Sequence, residues 1–312
     1  MARAFVFPGQ GSQAVGMGRE LAGAFATAKL VFEEVDDALG QNLSRLMFEG
    51  PEGDLTLTEN AQPALMAVSV AVARVLDKDG GVDLAKARFV AGHSLGEYSA
   101  LCAAGALTLA DTARLLKLRG RSMQQAVPVG QGAMAALLGA DLEAAQAIAA
   151  EAAQGEVCAA ANDNAPGQVV VSGHKGAVER AMAIAAERGF KRSILLPVSA
   201  PFHCALMQPA ADAMEQALAT AQVARPKTAL VANVTAAEVL DPAEIKRLLV
   251  RQVTGAVRWR ESVLYMKANG VAELVELGAG KVLAGLAKRI DKEIQGTSLG
   301  QPAEIEAWLK TQ

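Results

Sequence analysis

Ser94 stands in the stretch Phe89-Val90-Ala91-Gly92-His93-Ser94-Leu95-Gly96-Glu97, an apolar run followed by Gly-x-Ser-x-Gly and helix-forming residues. This is the sequence form of a nucleophile elbow, a sharp strand-to-helix turn that leaves a serine hydroxyl exposed. Glycine suits positions 92 and 96, because neighbouring backbone comes close there and a Cβ would crowd the turn. An anion forming beside Ser94 would meet the Leu95 N–H and the positive end of a helix dipole. A serine hydroxyl is a weak nucleophile until a base takes its proton, and the chain offers three histidines. His93 adjoins the serine, where side chains at a tight turn diverge. His174, in Ser-Gly-His-Lys-Gly, opens a helix and reads as a surface or capping residue. His203, in Ser199-Ala200-Pro201-Phe202-His203-Cys204, falls in a loop where the chain leaves a small domain, a place where clefts form. It is the favoured base; the alternative is a structural histidine bonded to backbone.

A hydrolase triad would also need a carboxylate between serine and histidine in chain order. Asp111, Asp141 and Asp163 are available, and none follows a clear core strand. A backbone carbonyl or an amide is then left to orient the histidine, which argues against an ordinary lipase or esterase. The turn Pro8-Gly9-Gln10-Gly11-Ser12-Gln13 has two readings. One is a loose dinucleotide fingerprint, with Glu33 or Glu34 about twenty residues on. The other, preferred because it makes one site of two motifs, is a loop whose Gln10 amide faces Ser94 as a second oxyanion donor. Gly278-Ala279-Gly280-Lys281 lacks the upstream glycine and the Ser/Thr of a phosphate loop and reads as a strand-to-helix turn.

The elements that must position these residues follow from pattern. Ala4 to Phe7 reads as a first strand, 18–39 as helical, Pro63 to Leu76 as a helix and Leu109 to Gln125 as another. From Gly132 the rhythm changes: strand 132–138, helix 141–153 capped by Asp141, strands 157–162 and 168–172, helix 174–188 and strand 192–198. The order βαββαβ is that of a ferredoxin-like unit. Beyond it come strand 229–233, helix 242–253, strand 272–277 and helix 281–290. The expected fold is α/β: an α/β-hydrolase-like core with a parallel sheet (residues 1–128 and 200–312) and a ferredoxin-like insert (129–199).

The 312 residues are 52% hydrophobic and 20% charged, with a net charge of −3. That suits a large buried core and gives no reason to expect nucleic acid as a partner. Cys102, Cys158 and Cys204 are odd in number and widely spaced, which argues against a disulfide framework or a zinc site and for a reducing cytoplasm. The N-terminal apolar run is too short for a signal peptide. The apolar stretch 64–75 is broken by Ser69 and Arg74, so it is expected to be a buried helix rather than a membrane span.

Four motifs occur together in order: Phe5-Val6-Phe7-Pro8-Gly9-Gln10-Gly11-Ser12-Gln13, Gly92-His93-Ser94-Leu95-Gly96-Glu97-Tyr98, Arg119-Gly120, and Pro201-Phe202-His203-Cys204-Ala205-Leu206-Met207. On these the chain resembles the malonyl-CoA:acyl carrier protein transacylases of type II fatty acid synthesis, and is similar to polyketide synthase acyltransferase domains. The likeness covers essentially the whole chain. It implies an acyl ester on Ser94, His203 as base and acid, and the backbone carbonyl of Gln252 orienting that histidine. It also implies an oxyanion hole from the amides of Gln10 and Leu95. Arg119 would hold the malonyl carboxylate, a task for a bidentate guanidinium rather than a lysine. Gln62 and Asn162 resemble cleft-lining residues. Leu95 and Phe202 resemble malonyl-selective members, although Phe202 departs from the serine of some stand-alone bacterial enzymes, so methylmalonyl stays open. The resemblance implies no bound cofactor and no metal, a CoA thioester as substrate, the phosphopantetheine thiol of acyl carrier protein as acceptor, no membrane partner and a monomer.

Two rival readings carry weight beside it. A serine hydrolase or thioesterase would use the same elbow with a catalytic Asp or Glu and no carboxylate-binding arginine. A degenerate domain would serve only to dock a carrier protein. An acidic carrier calls for a basic rim, and Lys191, Arg192, Lys281, Lys288 and Arg289 are candidates, although such clusters are commonly only solvated faces.

Overall fold

The computed structural model describes residues 2–312. Ten strands form two sheets: β1 Ala2–Phe7, β2 Phe89–Gly92, β3 Gly132–Leu138, β4 Cys158–Ala165, β5 Gln168–His174, β6 Arg192–Leu195, β7 Leu230–Ala232, β8 Ala237–Val239, β9 Val271–Leu277 and β10 Gln295–Leu299. The larger sheet has the order β10-β9-β1-β2-β7-β8, parallel throughout except for the β7–β8 edge pair. The smaller is antiparallel, in the order β4-β5-β3-β6.

The larger sheet is covered on both faces, as a parallel sheet requires. Successive β1 side chains point to opposite sides: Phe5 and Phe7 enter one apolar cluster, Ala4 and Val6 the other. Helix Thr58–Lys78 is buried along almost its whole length in the first cluster. The smaller sheet is two-sided too. Ala133, Ala135, Leu137, Val169 and Val171 pack on helices Leu142–Ala153 and Lys175–Glu187. Met134, Ala136 and Val170 face the main core.

β4 joins the two sheets. Bulges break its register with β5 near Ala160 and Asp163. Val257 of the core then donates to the Ala161 carbonyl (2.8 Å) and accepts from the Asp163 N–H (2.9 Å). Asp163, buried, pairs with Arg260 at 2.8 Å.

Most boundaries match the sequence reading, and the departures have physical causes. The helix expected from Pro63 begins at Thr58 and keeps the proline inside. The expected helix 18–39 is two, because Phe25 is extended between Arg19–Ala24 and Ala26–Leu39. Strand 192–198 stops at Leu195 and strand 229–233 is only Leu230–Ala232. Helices Gln208–Thr220, Trp259–Ala268 and Pro302–Leu309, and strands β8 and β10, were not foreseen. In β10, Gly296 breaks the pattern; a Cβ there would meet the Ala284 carbonyl oxygen at 2.3 Å, so close helix packing demands glycine in a strand.

Candidate active site

The elbow forms where β2 meets helix Gly96–Ala103. A Cβ on Gly92 would lie 1.9 Å from the Gly96 backbone, and one on Gly96 would lie 2.2 Å from the Phe7 carbonyl oxygen. Both glycines are therefore steric requirements of the turn. Ser94 has φ +53°, a left-handed conformation that costs a side-chain-bearing residue about 1–2 kcal/mol. The turn is tied down from β7: Asn233 Oδ1 accepts from the Ser94 N–H (2.8 Å), and its Nδ2 donates to the Gly92 carbonyl (2.7 Å).

His203 Nε2 lies 2.7 Å from Ser94 Oγ. Its Nδ1 lies 2.9 Å from the Gln252 carbonyl oxygen, which fixes Nδ1 as donor and leaves Nε2 to accept the serine proton. His203 also sits in the left-handed region, at φ +58°. Burial first, then the nearby Arg119 charge, push its pKa down to about 3, so it is neutral at pH 7.

Arg119, on helix Leu109–Ala126, is 1% exposed. Its Nη2 donates to Ser94 Oγ (3.1 Å) and Gln252 Oε1 (2.9 Å), and its Nη1 to Gln62 Oε1 (2.8 Å). All three acceptors are neutral, and among the described residues Nε has no partner. A buried guanidinium therefore reaches the Ser94 hydroxyl with donors to spare.

A cleft of about 460 Å³ opens over these groups. Gln10, Leu95, Asn162 and Phe202, all singled out from sequence, line it, with Met134 and Val170 of the smaller sheet forming the facing wall. Thr58 Oγ1 donates to Gln10 Oε1 (2.8 Å), which pins the Pro8–Gln13 loop to the cleft rim. Among the described residues Asn162 makes no side-chain hydrogen bond to Ser94 or His203; its contribution is to the wall. His93, half-buried and held below its usual pKa by desolvation, pairs with Asn164 Oδ1 at 2.8 Å rather than with Ser94 Oγ. His174 opens its helix and accepts from the Val157 N–H through Nδ1. Asp111, Asp141 and Asp163 act as a helix-start residue, a helix cap and an ion-pair partner.

Sequence reasoning missed Asn233, Glu97 and the side chain of Gln252. Asn233 follows a parallel core strand beside β2, and polar groups just past the carboxyl ends of such strands are where α/β sheets place their sites. That signal was available. Glu97 gave none, since a glutamate in the first turn of a helix reads as a solvated partner of the dipole.

The chain matches the acyl transferase domain family over residues 4–298. The chain belongs to that family. It is 47% identical to a malonyl CoA-acyl carrier protein transacylase of Escherichia coli K12, over 98% of each chain. A crystal structure of an acyl-carrier-protein-S-malonyltransferase from Bartonella henselae superposes with TM-score 0.97 at 56% identity, covering 100% of this chain and 99% of that one. A malonyl-transacylase in complex with its type II PKS acyl-carrier protein superposes with TM-score 0.97 at 43% identity, covering all of both chains. Among the described residues no group of three or more His, Cys, Asp or Glu is placed to hold a metal ion, and no helix is long and apolar enough to cross a membrane.

Proposed function

We propose that this protein is an [acyl-carrier-protein] S-malonyltransferase, moving a malonyl group from malonyl-CoA to the phosphopantetheine thiol of acyl carrier protein. The observation that carries the reading is Arg119, a buried guanidinium bonded only to neutral oxygens and 3.1 Å from the nucleophile. A buried cation with no carboxylate bonded to it is costly, and an acyl group bearing its own carboxylate supplies one. An acetyl group leaves Arg119 unpaired, so the pair filters substrates.

The chemistry runs in two halves. Ser94 Oγ attacks the thioester carbonyl as its proton passes to His203 Nε2. The N–H groups of Gln10 and Leu95 take the developing oxyanion. The C–S bond then breaks, and CoA leaves with the proton from His203. In the second half the carrier's thiol gives its proton to His203 and attacks the acyl-serine carbonyl, and Ser94 leaves with that proton. No cofactor is required, because the thioester already carries the activation. Gln62 holds Arg119 from behind, while Asn162 and Phe202 shape the cleft. Phe202 and Leu95 favour malonyl over methylmalonyl, a difference of one methyl worth about 1–3 kcal/mol.

We read residues 1–128 and 200–312 as an α/β-hydrolase-like catalytic core and 129–199 as a ferredoxin-like insert. The order β4-β5-β3-β6 with both helices on one face supports the second reading. One copy supplies every side chain of the site, so a monomer suffices. The hydrolase alternative is disfavoured because His203 is oriented by a backbone carbonyl and not by a carboxylate.

Intact mass after brief mixing with malonyl-CoA tests the reading. A malonyl adduct, absent in Ser94→Ala and much weaker with acetyl-CoA, is expected. Free CoA and malonate without an adduct would indicate a hydrolase. Neither adduct nor turnover would leave a docking domain.

A further inference from the structure

Glu97 is 1% exposed, one turn after the nucleophile, and touches none of the reacting atoms. Its Oε2 accepts from the Asn233 N–H (3.1 Å) and from Gln252 Nε2 (2.8 Å), while Oε1 has no partner. A carboxyl of this kind is expensive to bury, and its surroundings indicate a use for it.

The Gln252 amide has one donating end and one accepting end. Three acceptors surround Nε2: Glu97 Oε2, the Ser94 carbonyl at 2.9 Å and Asn233 Oδ1 at 3.3 Å. Two of them are already engaged, Ser94 O by the Glu97 N–H and Asn233 Oδ1 by the Ser94 N–H. At the other end Oε1 accepts from Arg119 Nη2. A flipped amide would set oxygen against three oxygens and an NH2 group against a guanidinium. The same residue's backbone carbonyl holds His203. Glu97 thus lies one residue away from both the cation and the base.

We propose that Glu97 is a positioning residue for acyl transfer: by accepting from the Gln252 amide it sets which end of that side chain faces Arg119, and so aims the guanidinium at the acyl carboxylate. The inference rests on the transacylase reading above. Burial pushes the Glu97 carboxyl up to about 7, against the pull of its hydrogen bonds and of Arg119. A proton on the unpartnered Oε1 leaves Oε2 free to accept, so the role needs an acceptor and not a charge.

The test compares acylation by malonyl-CoA and acetyl-CoA in the full-length wild type, Glu97→Gln and Glu97→Met, with thermal melts as the folding control. Glu97→Gln keeps a carbonyl oxygen and is expected to stay within about threefold of wild type. Glu97→Met keeps the shape without the acceptor, and is expected to lose about 100-fold in kcat/KM for malonyl-CoA, the scale of a small misplacement. It should also lose at least about tenfold of the malonyl-over-acetyl preference. A preference unchanged in Glu97→Met, or equally damaged in both variants, overturns the proposal. If Glu97→Met does not fold, Glu97→Asp decides, since its shorter carboxyl withdraws from Gln252: a weakened preference supports the role and a wild-type preference overturns it. A wild type that forms no malonyl-serine takes the transacylase reading down with it, whereas an active wild type with an indifferent Glu97→Met removes only Glu97.

Discussion

The polar cluster around the elbow and the apolar layer of the smaller sheet are both largely buried, and they are built on opposite terms. The insert packs small and branched apolar side chains, Ala135, Ala145, Ile148, Ala149, Val169 and Val171 among them, between one sheet face and two helices. The elbow buries Glu97, Arg119, His203, Asn233 and Gln252 together and holds two non-glycine residues in the left-handed region. Around the smaller sheet most buried residues are apolar and follow their local preference. Under the elbow several residues violate theirs, and hydrogen bonds compensate only in part, leaving Arg119 Nε and Glu97 Oε1 without a partner among the described residues. The difference separates residues placed for stability from those we propose serve the reaction.

Mutations should break the molecule differently on the two sides. The largest effect belongs to Ser94→Ala, expected to abolish the malonyl adduct and lower turnover by about 10⁵–10⁶-fold, with little change in melting temperature; intact mass and steady-state rates check it. Arg119→Ala comes next. Losing a buried charge partner costs about 2–5 kcal/mol, so kcat/KM for malonyl-CoA should fall by about 30- to 4,000-fold, with acetyl-CoA much less affected. Equal losses for both substrates would refute the carboxylate filter. On the other side, Leu137→Ala in the insert should cost about 2–5 kcal/mol of unfolding free energy, read by urea titration, while kcat of the folded enzyme stays near wild type.

The smallest expected effect is a change of slope with pH. His203 is held at about 3 against 6.5 when unfolded, so the unfolded chain binds more protons between those values and acid destabilises the fold as pH drops below 6.5. Glu97 works the other way: its native pKa of about 7 exceeds the ordinary 4.5, so its contribution to stability is lost as pH rises through that window. Between pH 4.5 and 6.5 the two oppose each other. Glu97→Gln should leave the histidine slope exposed, up to about 1.4 kcal/mol per pH unit, and His203→Gln the opposite slope. Urea unfolding at pH 5.0 and 6.5 reads both.

The strands and helices of the smaller sheet were legible almost entirely, because a short chain of alternating strands and helices announces itself through period and turn residues such as Pro166-Gly167. The elbow was legible because sterics admit glycine alone at 92 and 96. Ser94, His203, Arg119, Gln62 and Gln252 were named from sequence and stand in one hydrogen-bonded cluster. What stayed hidden depends on tertiary context. β10 pairs with β9 despite the weak strand sequence Gln-Gly-Thr-Ser-Leu, and Pro63 sits inside a helix that neighbouring packing holds together. Glu97 is an ordinary residue in sequence, and its surroundings are created by the chain closing over it, whereas Asn233 could have been singled out from its place after a core strand.

The seam at Val257 bears on how the protein is made. The insert's strands leave the ribosome well before Val257, the residue to which β4 is stitched. Gln252, which holds both His203 and Arg119, also comes after every other member of the cluster. A nascent chain can thus complete its insert while the nucleophile is still unarmed. The serine gains this partner only after residue 252 has been synthesised, so the cluster is completed late, after the strands of the smaller sheet are in place.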